Sequence, residues 1–440
     1  MVSLPRAPKC ASIPNSKQKN SGCAGAGDGD ARHARAPTHA AAKPCFSGSV
    51  LASLGTTALS SAPKSTIDHE TGEILGLEIP YSPMLARVQR FALQSVARKA
   101  LPDSRTNICL RWRQKGKDVQ VWQSKEFKTA SFSGLQTCGS PWNCPVCAAK
   151  IAERRRAEII TAMAAHKAAG GCVQLLTLTA PHKRTDKLGD LLEMQAKALK
   201  YFNQDKTVRN IREEMGNIGQ IRALEVTHGR KSALNNGWHA HYHILQFGRL
   251  PALPAASLVA QFKDWSVRLY LRWAHCCERA GLETPSFAHG LKLDDGSKAA
   301  KYIAKWGLED EMTKGHTKKS SQGETPFDFL RNHLADSSDK QALALFQEFA
   351  AAFKGKRQLY WSTGLKKHFS IGEASDEELS VMMDDYAEML GTISVEQWRA
   401  VLKADVRGEV LQLASVGGWP AVSLFIEQLL NAKIERFPTS

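Results

Sequence analysis

Hydrophobic and polar positions along the chain follow two different periods, and each period predicts its own kind of element. Short apolar and β-branched runs predict strands at Cys172–Ala180, Ile221–Thr227 and Trp238–Phe247. Apolar residues at helical spacing predict helices over Thr185–Gln204 and Ser257–Ala280. Strands that alternate with helices, two of them joined by a loop containing Asn-Gly, predict an α+β fold with a mainly antiparallel sheet.

Further elements are predicted around this sheet, and residues 1–80 differ from all of them in composition. That stretch is rich in Ala, Ser, Gly and Pro, which predicts a disordered, low-complexity tail. After it we expect strands at 108–113 (ICLRWR), 119–122 (VQVW), Phe287–Leu293 and Arg357–Leu365, helices at Ala148–Ala169 and Ser297–Trp306, a helix that opens at Thr325-Pro326, and a wholly helical region from Ser375 to the end.

The composition adds a strong positive charge. Lys and Arg number 59 against 43 Asp and Glu, a formal net charge of +16, which favours a polyanionic partner, most often nucleic acid. The N-terminus lacks the continuous apolar stretch of a secretory signal, and apolar runs fall short of the roughly 18 residues that a membrane span requires. We therefore expect a cytoplasmic protein that binds no membrane.

Three histidines alternate with other residues on the predicted strand Trp238–Phe247. Because side chains on a strand alternate between its faces, His239, His241 and His243 point the same way. Two neighbouring imidazoles at this spacing can bind one metal ion, whereas all three are too far apart to share it. Glu225 lies on the preceding strand, where hairpin pairing brings to the histidines the oxygen that a hard divalent ion prefers. The alternative is a polar sheet face whose histidines bind nothing.

Three of the ten cysteines crowd together: Cys138, Cys144 and Cys147. Their spacing suits the tetrahedral coordination of a structural zinc ion. Cys109 is the expected fourth ligand, because it begins the predicted strand pair whose other end leads to Cys138, and Cys172 is the second choice. Reduced cysteines in a hydrophobic core are the alternative.

Two groups of basic residues are candidates for contact with DNA phosphates. Arg154, Arg155 and Arg156 follow the cysteines on the next predicted helix, and Lys318 and Lys319 lie in a later polar loop. For both groups, a solvated surface without a ligand is the alternative.

Tyr302 and Lys305 are three positions apart on the predicted helix Ser297–Trp306, so they share a face. A tyrosine becomes a competent nucleophile beside a cation or a metal ion that favours its phenolate. Lys305 can supply that charge or hold the phosphate under attack. Taken alone, the pattern is common in helices and carries little weight.

Together and in this order, the motifs resemble the HUH endonucleases, the superfamily of rolling-circle replication initiators, relaxases and certain transposases. The matching segments are LLTLTAPH (Leu175–His182), HYHIL (His241–Leu245) and YIAK (Tyr302–Lys305). A closer resemblance, over roughly residues 105–370, is to the plasmid Rep family of rolling-circle initiators, because CGSPWNCPVC and RQLYWSTGLKKHF also match it.

The resemblance implies an HUH-endonuclease-like antiparallel sheet with flanking helices, together with a small zinc-binding module and a helical C-terminal region. The implied reaction nicks and rejoins single-stranded origin DNA through a 5′-phosphotyrosine, with a host helicase and DNA polymerase as partners. Trp306 stands where two-tyrosine members have a second tyrosine, which implies a single-tyrosine enzyme. The resemblance also implies the roles of individual residues. His241 and His243 would be ligands of Mg²⁺ or Mn²⁺, with Glu225 as the third ligand and His239 as an outer or alternative ligand. Tyr302 would be the nucleophile and Lys305 its electrostatic helper.

The corresponding domains are a zinc-binding module with a basic helix at 81–170, an HUH nuclease domain at 171–370 and a helical C-terminal region at 371–440. The sequence leaves two other functions open. One is an HUH transposase, which uses the same chemistry to move DNA. The other is a zinc-containing DNA-binding regulator without enzymatic activity.

Overall fold

The structure is a computed structural model that describes residues 66–67, 74–75, 83–232, 235–294, 323–382 and 386–434. The predicted helix Ser297–Trp306, with Tyr302 and Lys305, and the lysines Lys318 and Lys319 lie outside these described residues. The chain divides into two units, Met1–Ile79 and Pro80–Ser440. In the first unit, the strands β1 (Thr66–Ile67) and β2 (Ile74–Leu75) form an antiparallel pair, and the disorder of the remaining tail stays a prediction.

The second unit is mixed α+β, as the sequence predicts. Its described strands are β3 (Val119–Ser124), β4 (Ala130–Ser133), β5 (Cys172–Thr179), β6 (Gly219–His228), β7 (Trp238–Gly248), β8 (Leu291–Asp294), β9 (Leu359–Trp361) and β10 (Ala387–Ile393). Its described helices are α1 (Pro83–Ala100), α2 (Pro145–Ala168), α3 (Leu188–Gln204), α4 (Lys206–Glu214), α5 (Ala255–Arg279), α6 (Pro326–Ala335), α7 (Lys340–Ala352), α8 (Leu365–His368), α9 (Asp376–Val381), α10 (Val395–Ala404) and α11 (Arg407–Ile434).

Five strands form one antiparallel sheet in the order β8-β5-β7-β6-β9. The predicted hairpin lies at its centre, where β6 and β7 pair from Gly219 opposite Phe247 to His228 opposite Trp238. Strand β5 runs along the other side of β7, so that β7 has a hydrogen-bonded neighbour on each side. The histidine strand is therefore held in a fixed register by two partners.

The two faces of β7 meet different surroundings because its side chains alternate. Tyr242 and Ile244 belong to the main hydrophobic core, which also contains buried residues of α3, α5, α6 and α7. On the opposite face, Leu245 and Phe247 pack in a smaller core with Ile159 of α2. The three histidines continue this second face towards the start of β7.

Strands β10, β3 and β4, in that order, form a separate antiparallel sheet. A hydrophobic core beside this sheet contains the four cysteines of the predicted zinc site. It also contains side chains of α1, α10 and α11, among them Phe91, Trp398, Val401 and Val410. The cysteine-bearing segment and the C-terminal region therefore share one hydrophobic core.

One predicted strand is wrong. Residues 108–111 form turns and Arg113 makes only an isolated β-bridge with Leu135. Leu110 adopts a left-handed backbone with φ 51°, and its N–H donates to the carbonyl of Gln136 at 2.7 Å. Strand β3 pairs with β4, which was not predicted. The alternation of apolar and polar residues in ICLRWR is typical of a strand, but the local turn overrides it.

The prediction of a wholly helical C-terminal region is also wrong. Strand β10 pairs with β3 from Ala387 to Ile393, with an irregularity between Met389 and Gly391. Ala, Glu, Met and Leu in AEMLGTI are good helix formers. Pairing with the edge of β3 outweighs that local preference, which is weak beside tertiary contacts.

Helix α11 is long and apolar enough, by length and composition alone, to cross a membrane over Arg407–Asn431, and a single such helix is weak evidence. Gly418 has non-helical backbone angles and Pro420 follows it, so a kink divides the helix. The buried side chains of both parts, including Val410, Ala414, Val422 and Ile426, belong to the second core. These contacts account for part of its apolar composition, whereas Val416 and Leu424 are exposed.

Candidate functional site

The β6–β7 register brings one carboxylate to two histidines. Glu225 lies directly opposite His241, and the small Ala223 lies opposite His243. Glu225 Oε2 is 3.3 Å from Nε2 of His241 and 3.1 Å from Nε2 of His243. Hairpin pairing thus brings Glu225, His241 and His243 together at one point of the sheet.

This group can hold a divalent metal ion. One ligand atom from each of the three residues lies within 4.8 Å of the other two. In an octahedral shell with ligands at about 2.1 Å, neighbouring ligand atoms are about 3.0 Å apart, close to the observed separations. The side chains are largely buried, at 11%, 12% and 7% exposure for Glu225, His241 and His243. Two imidazoles and one carboxylate suit a borderline-to-hard divalent ion that completes its shell with water or phosphate oxygens.

A threonine on the neighbouring strand orients one of these histidines. Thr177 on β5 lies opposite His243, and its Oγ1 is 3.2 Å from His243 Nδ1. With its proton on Nδ1, His243 donates to that hydroxyl and presents the lone pair of Nε2 to an ion. Partners of this kind fix the ring and the tautomer of a ligating histidine. Thr177 was not predicted, although its place in LLTLTA, on the face shared with the histidines, is the signal that could have identified it.

His239 stands outside the group of three. Its ring stacks on that of His182, which follows β5, with centroids 5.0 Å apart. Burial, together with the nearby imidazoles of His241 and His182, lowers the pKa of His239 to about 4. His239 is thus neutral near pH 7 and forms the side wall of the histidine face.

The second cluster contains Cys109, Cys138, Cys144 and Cys147, all of them buried. Cys109 Sγ is 3.5 Å from Cys147 Sγ and 3.8 Å from Cys144 Sγ, and Cys138 Sγ is 3.6 Å from Cys147 Sγ. Tetrahedral zinc with bonds of about 2.3 Å places its sulfurs about 3.8 Å apart. The four thiols therefore fit one zinc ion, and Cys172 lies elsewhere, at the start of β5.

The environment of the cysteines favours a thiolate at Cys144. Gln94 on α1 donates from Nε2 to Cys144 Sγ at 3.1 Å. Burial opposes ionisation of Cys144, but hydrogen bonds from Cys109, Cys138 and Cys147 outweigh burial and lower the pKa of Cys144. The pKa of Cys109 is raised, because Cys109 hydrogen-bonds to Cys138, Cys144 and Cys147 and is buried.

A buried arginine lies beside the cysteines. Arg407 is fully buried and donates to Gln94 Oε1 at 2.8 Å and to the Leu110 carbonyl at 3.2 Å. It joins α1, the turn after Cys109 and the start of α11, and its positive charge offsets the charge of nearby thiolates. This residue was not predicted, because its partners are distant in sequence.

The three arginines of α2 already make contacts within the protein. The Arg155 side chain is only 11% exposed and pairs with Glu158 at 3.1 Å and Asp376 at 2.8 Å. Arg154 donates to the Met382 carbonyl at 2.9 Å, and Arg156 lies 3.7 Å from Glu153. A role for these arginines in phosphate contact stays a prediction, and for Arg155 it would require the loss of two ion pairs.

Tyr302 lies within 295–322, outside the described residues. The described residues on either side of this segment both pair with strands of the five-stranded sheet. Strand β8 ends at Asp294, which pairs with Leu175 of β5. After the segment, Glu324 forms a β-bridge with His228 at the end of β6. Gly323 lies so close to Thr227 that a Cβ atom on Gly323 would be 3.2 Å from the Thr227 side chain. The chain thus leaves from β8, which β5 separates from the histidine strand β7, and returns to the end of β6, the strand that carries Glu225.

Comparison with known proteins points to DNA replication. Residues 131–253, which include both clusters except Cys109, match the family model described as a replication protein. Protein rep of Streptomyces lividans is 27% identical over 345 residues, which cover 62% of this chain and 74% of that protein. Over these residues the chain is similar to replication proteins.

A second relative covers less of the chain. The protein named Neomycin resistance protein from Streptomyces cyanogenus is 31% identical over 140 residues, which cover 26% of this chain and 30% of that protein. No solved structure gives a significant match.

Proposed function

We propose that the protein initiates rolling-circle replication of a plasmid by nicking and rejoining one strand of origin DNA, with an HUH-type nuclease centre. The observation that carries this proposal is the convergence of Glu225, His241 and His243 on an antiparallel sheet, within the residues that match the replication-protein family model. The net charge of +16 is consistent with a DNA substrate.

In this proposal each residue has a defined role. A Mg²⁺ or Mn²⁺ ion held by Glu225, His241 and His243 would neutralise charge on the scissile phosphate. The phenolic oxygen of Tyr302 attacks phosphorus, the bond to the 3′ oxygen breaks, and the released strand end takes up a proton as a free 3′-OH. Lys305 stabilises the phenolate or the phosphate. The 5′-phosphotyrosine conserves the bond energy, so the reverse attack by a 3′-OH rejoins the strand without ATP.

The tether of Tyr302 is compatible with this role. Across two strand spacings and two residues of rise, Asp294 lies about 12 Å from His243. With the predicted helix beginning at Ser297, three residues of extended chain and five residues of helical rise separate Asp294 from Tyr302, which together span up to about 18 Å. A helix that begins shortly after Asp294 therefore has enough chain to reach the histidine face.

We also propose that Cys109, Cys138, Cys144 and Cys147 bind a structural Zn²⁺ ion. Four buried thiols with separations of 3.5–3.8 Å and a nearby buried cation support it. The ion would crosslink the turn at Cys109 to the start of α2, and so fix the module beside the nuclease sheet.

In the cell, the exposed 3′-OH would be extended by a host polymerase as a host helicase unwinds the duplex.

The test is a nicking assay on single-stranded DNA from the replicon that encodes the protein, with Mg²⁺ or Mn²⁺. We expect cleavage and a covalent adduct, with mass spectrometry locating the nucleotide on the peptide that contains Tyr302. The Tyr302→Phe variant should lose both cleavage and adduct but retain DNA binding. Tyr360→Phe, on the edge strand β9, is the matched control and should cleave normally.

The results separate the candidate functions. An adduct that persists in Tyr302→Phe would remove Tyr302 from the mechanism. DNA binding without cleavage under any divalent ion would favour the non-enzymatic regulator. Cleavage confined to transposon ends, with none at a plasmid origin, would favour the HUH transposase.

A further inference from the structure

The turn after Cys109 carries an exposed tryptophan. Trp112 is 61% exposed, although its neighbours Leu110 and Leu135 are buried. We call residues 111–118 (RWRQKGKD) the Trp112 loop. Trp112 is the only apolar side chain in this segment. A single exposed apolar side chain is common on protein surfaces, but a large aromatic ring set among cations is a combination that can bind a ligand.

The backbone on both sides of this ring is fixed. The Arg111 carbonyl accepts from Trp398 Nε1 at 2.9 Å, and the Trp112 carbonyl accepts from the Gln136 N–H at 2.8 Å. The Gln114 N–H donates to the Gly134 carbonyl at 2.8 Å. Because the loop is held in place, binding a ligand to Trp112 would cost little conformational entropy.

The cysteine cluster lies at the base of the loop. Cys109 comes three residues before Trp112, and Cys138 comes two residues after its backbone partner Gln136. Leu110, between them, has the strained φ of 51°. Strain of this kind persists only where surrounding contacts enforce it and is concentrated at functional positions. Backbone contacts thus hold Leu110 in this conformation, and the Trp112 ring two residues later is exposed.

The charges around the ring are mostly positive. Lys115 and Lys117 are exposed. Arg113 is partly exposed and lies 3.3 Å from Asp118, the one acidic residue of the loop. Lysine is depleted at protein–protein interfaces, whereas an aromatic ring interleaved with cations is typical of proteins that bind single-stranded nucleic acid.

We propose that the Trp112 loop is a binding site for single-stranded DNA, separate from the histidine centre. Trp112 stacks on one unpaired base, and Lys115 and Lys117 contact the phosphates that flank it. This inference rests on the proposed function, since it supplies a second contact through which the protein holds the strand it cleaves.

The test measures binding of fluorescently labelled oligothymidylate without added Mg²⁺ or Mn²⁺, so that cleavage plays no part. Trp112→Ala should weaken binding about tenfold, the effect of removing one stacked base, with an unchanged dependence on salt. Trp112→Tyr should restore most of the affinity, because tyrosine also stacks. Phe287→Ala is the matched control: Phe287 is also 61% exposed, but no Lys or Arg lies within four residues of it.

The double variant Lys115→Gln/Lys117→Gln should behave differently from Trp112→Ala. Its slope of log affinity against log salt should fall by about 0.7 for each phosphate that the variant no longer neutralises. Thermal unfolding and zinc content should match those of the natural protein in every variant, because these side chains are exposed.

Two results would overturn the inference. One is equal affinity for Trp112→Ala and the natural protein. The other is an equal reduction of affinity in Phe287→Ala. Neither would affect the proposed nicking reaction, which the Tyr302→Phe assay tests separately. If Trp112→Ala instead failed to bind a protein partner while binding DNA normally, the loop would be a protein interface and the inference wrong.

Discussion

Glu225 Oε2 lies 3.1 Å from Nε2 of His243, the histidine diagonally across the β6–β7 pair from it. The residue directly opposite Glu225 is His241, and the same oxygen is 3.3 Å from its ring. One carboxylate oxygen thus contacts two imidazoles, because Ala223 opposite His243 leaves room for the diagonal contact. A divalent ion at this point would replace these contacts with three coordinate bonds.

The first prediction concerns the charge of Glu225. Glu225→Gln keeps the shape of the side chain but removes its negative charge, so affinity for Mn²⁺ should fall at least about tenfold. Isothermal titration calorimetry measures this directly. Glu193→Gln, on the exposed side of α3, is the control and should bind Mn²⁺ as the natural protein does. Unchanged affinity in Glu225→Gln would show that the ion is bound elsewhere.

The sequence predicts that Glu225, His241 and His243 come together, as they do, because two strong regularities act on these residues. Strand alternation places the histidines on one face, and the Asn-Gly loop predicts the hairpin that brings Glu225 beside them. The choice of His241 and His243 over His239 is different. It depends on the register, which pairs Glu225 with His241, and spacing alone leaves it open.

The second prediction concerns the partner of His243. Thr177→Val should lower affinity for Mn²⁺ about 10- to 100-fold, the usual effect of removing a hydrogen bond that orients a metal ligand. Thr177→Ser keeps the hydroxyl and should restore the affinity. Thr392→Val, at an exposed position of β10, is the control for the same exchange in a strand. Equal affinities for Thr177→Val and Thr177→Ser would show that the Thr177 hydroxyl does not orient His243 and that the side chain only packs in the sheet.

The third prediction concerns the cysteine cluster. Cys144 is fully buried, and Cys144→Ser should reduce the zinc content from about one ion per chain to near zero and lower the melting temperature. Cys172→Ser should retain the zinc, because Cys172 lies on β5, outside the cluster. Elemental analysis and thermal unfolding provide both measurements. Zinc loss in Cys172→Ser, or full zinc in Cys144→Ser, would contradict the assignment.

The second core shows what the sequence could not predict. Arg407 and Gln94 meet across more than 300 positions of chain, at 2.8 Å, and no periodic pattern encodes such a pair. The pairing of β10 with β3 is likewise long-range, and it reverses the helical preference of AEMLGTI. Local patterns predict local elements, whereas contacts of this kind depend on the complete fold.

The last prediction concerns pH and the end of the histidine hairpin. Arg230, in the β6–β7 loop, lies 2.7 Å from Asp339 and 2.7 Å from Glu324, and its side chain is only 7% exposed. Hydrogen bonding to Arg230 lowers the pKa of Asp339 to about 2. Asp339 also caps α7, by accepting from the Ala342 N–H at 3.0 Å. Asparagine caps a helix about as well as aspartate, so Asp339→Asn isolates the effect of the charge.

Because the pKa of Asp339 is lower in the folded protein than in the unfolded chain, its carboxylate stabilises the fold above about pH 4, and that stabilisation disappears as the pH falls towards 2. Asp339→Asn should therefore reduce the free energy of unfolding by about 2 kcal/mol at pH 7 and by little at pH 2. Urea unfolding across this range measures the difference, with Asp103→Asn in an exposed turn as the control. A difference that stays constant down to pH 2 would mean that Asp339 acts through its cap and not through Arg230.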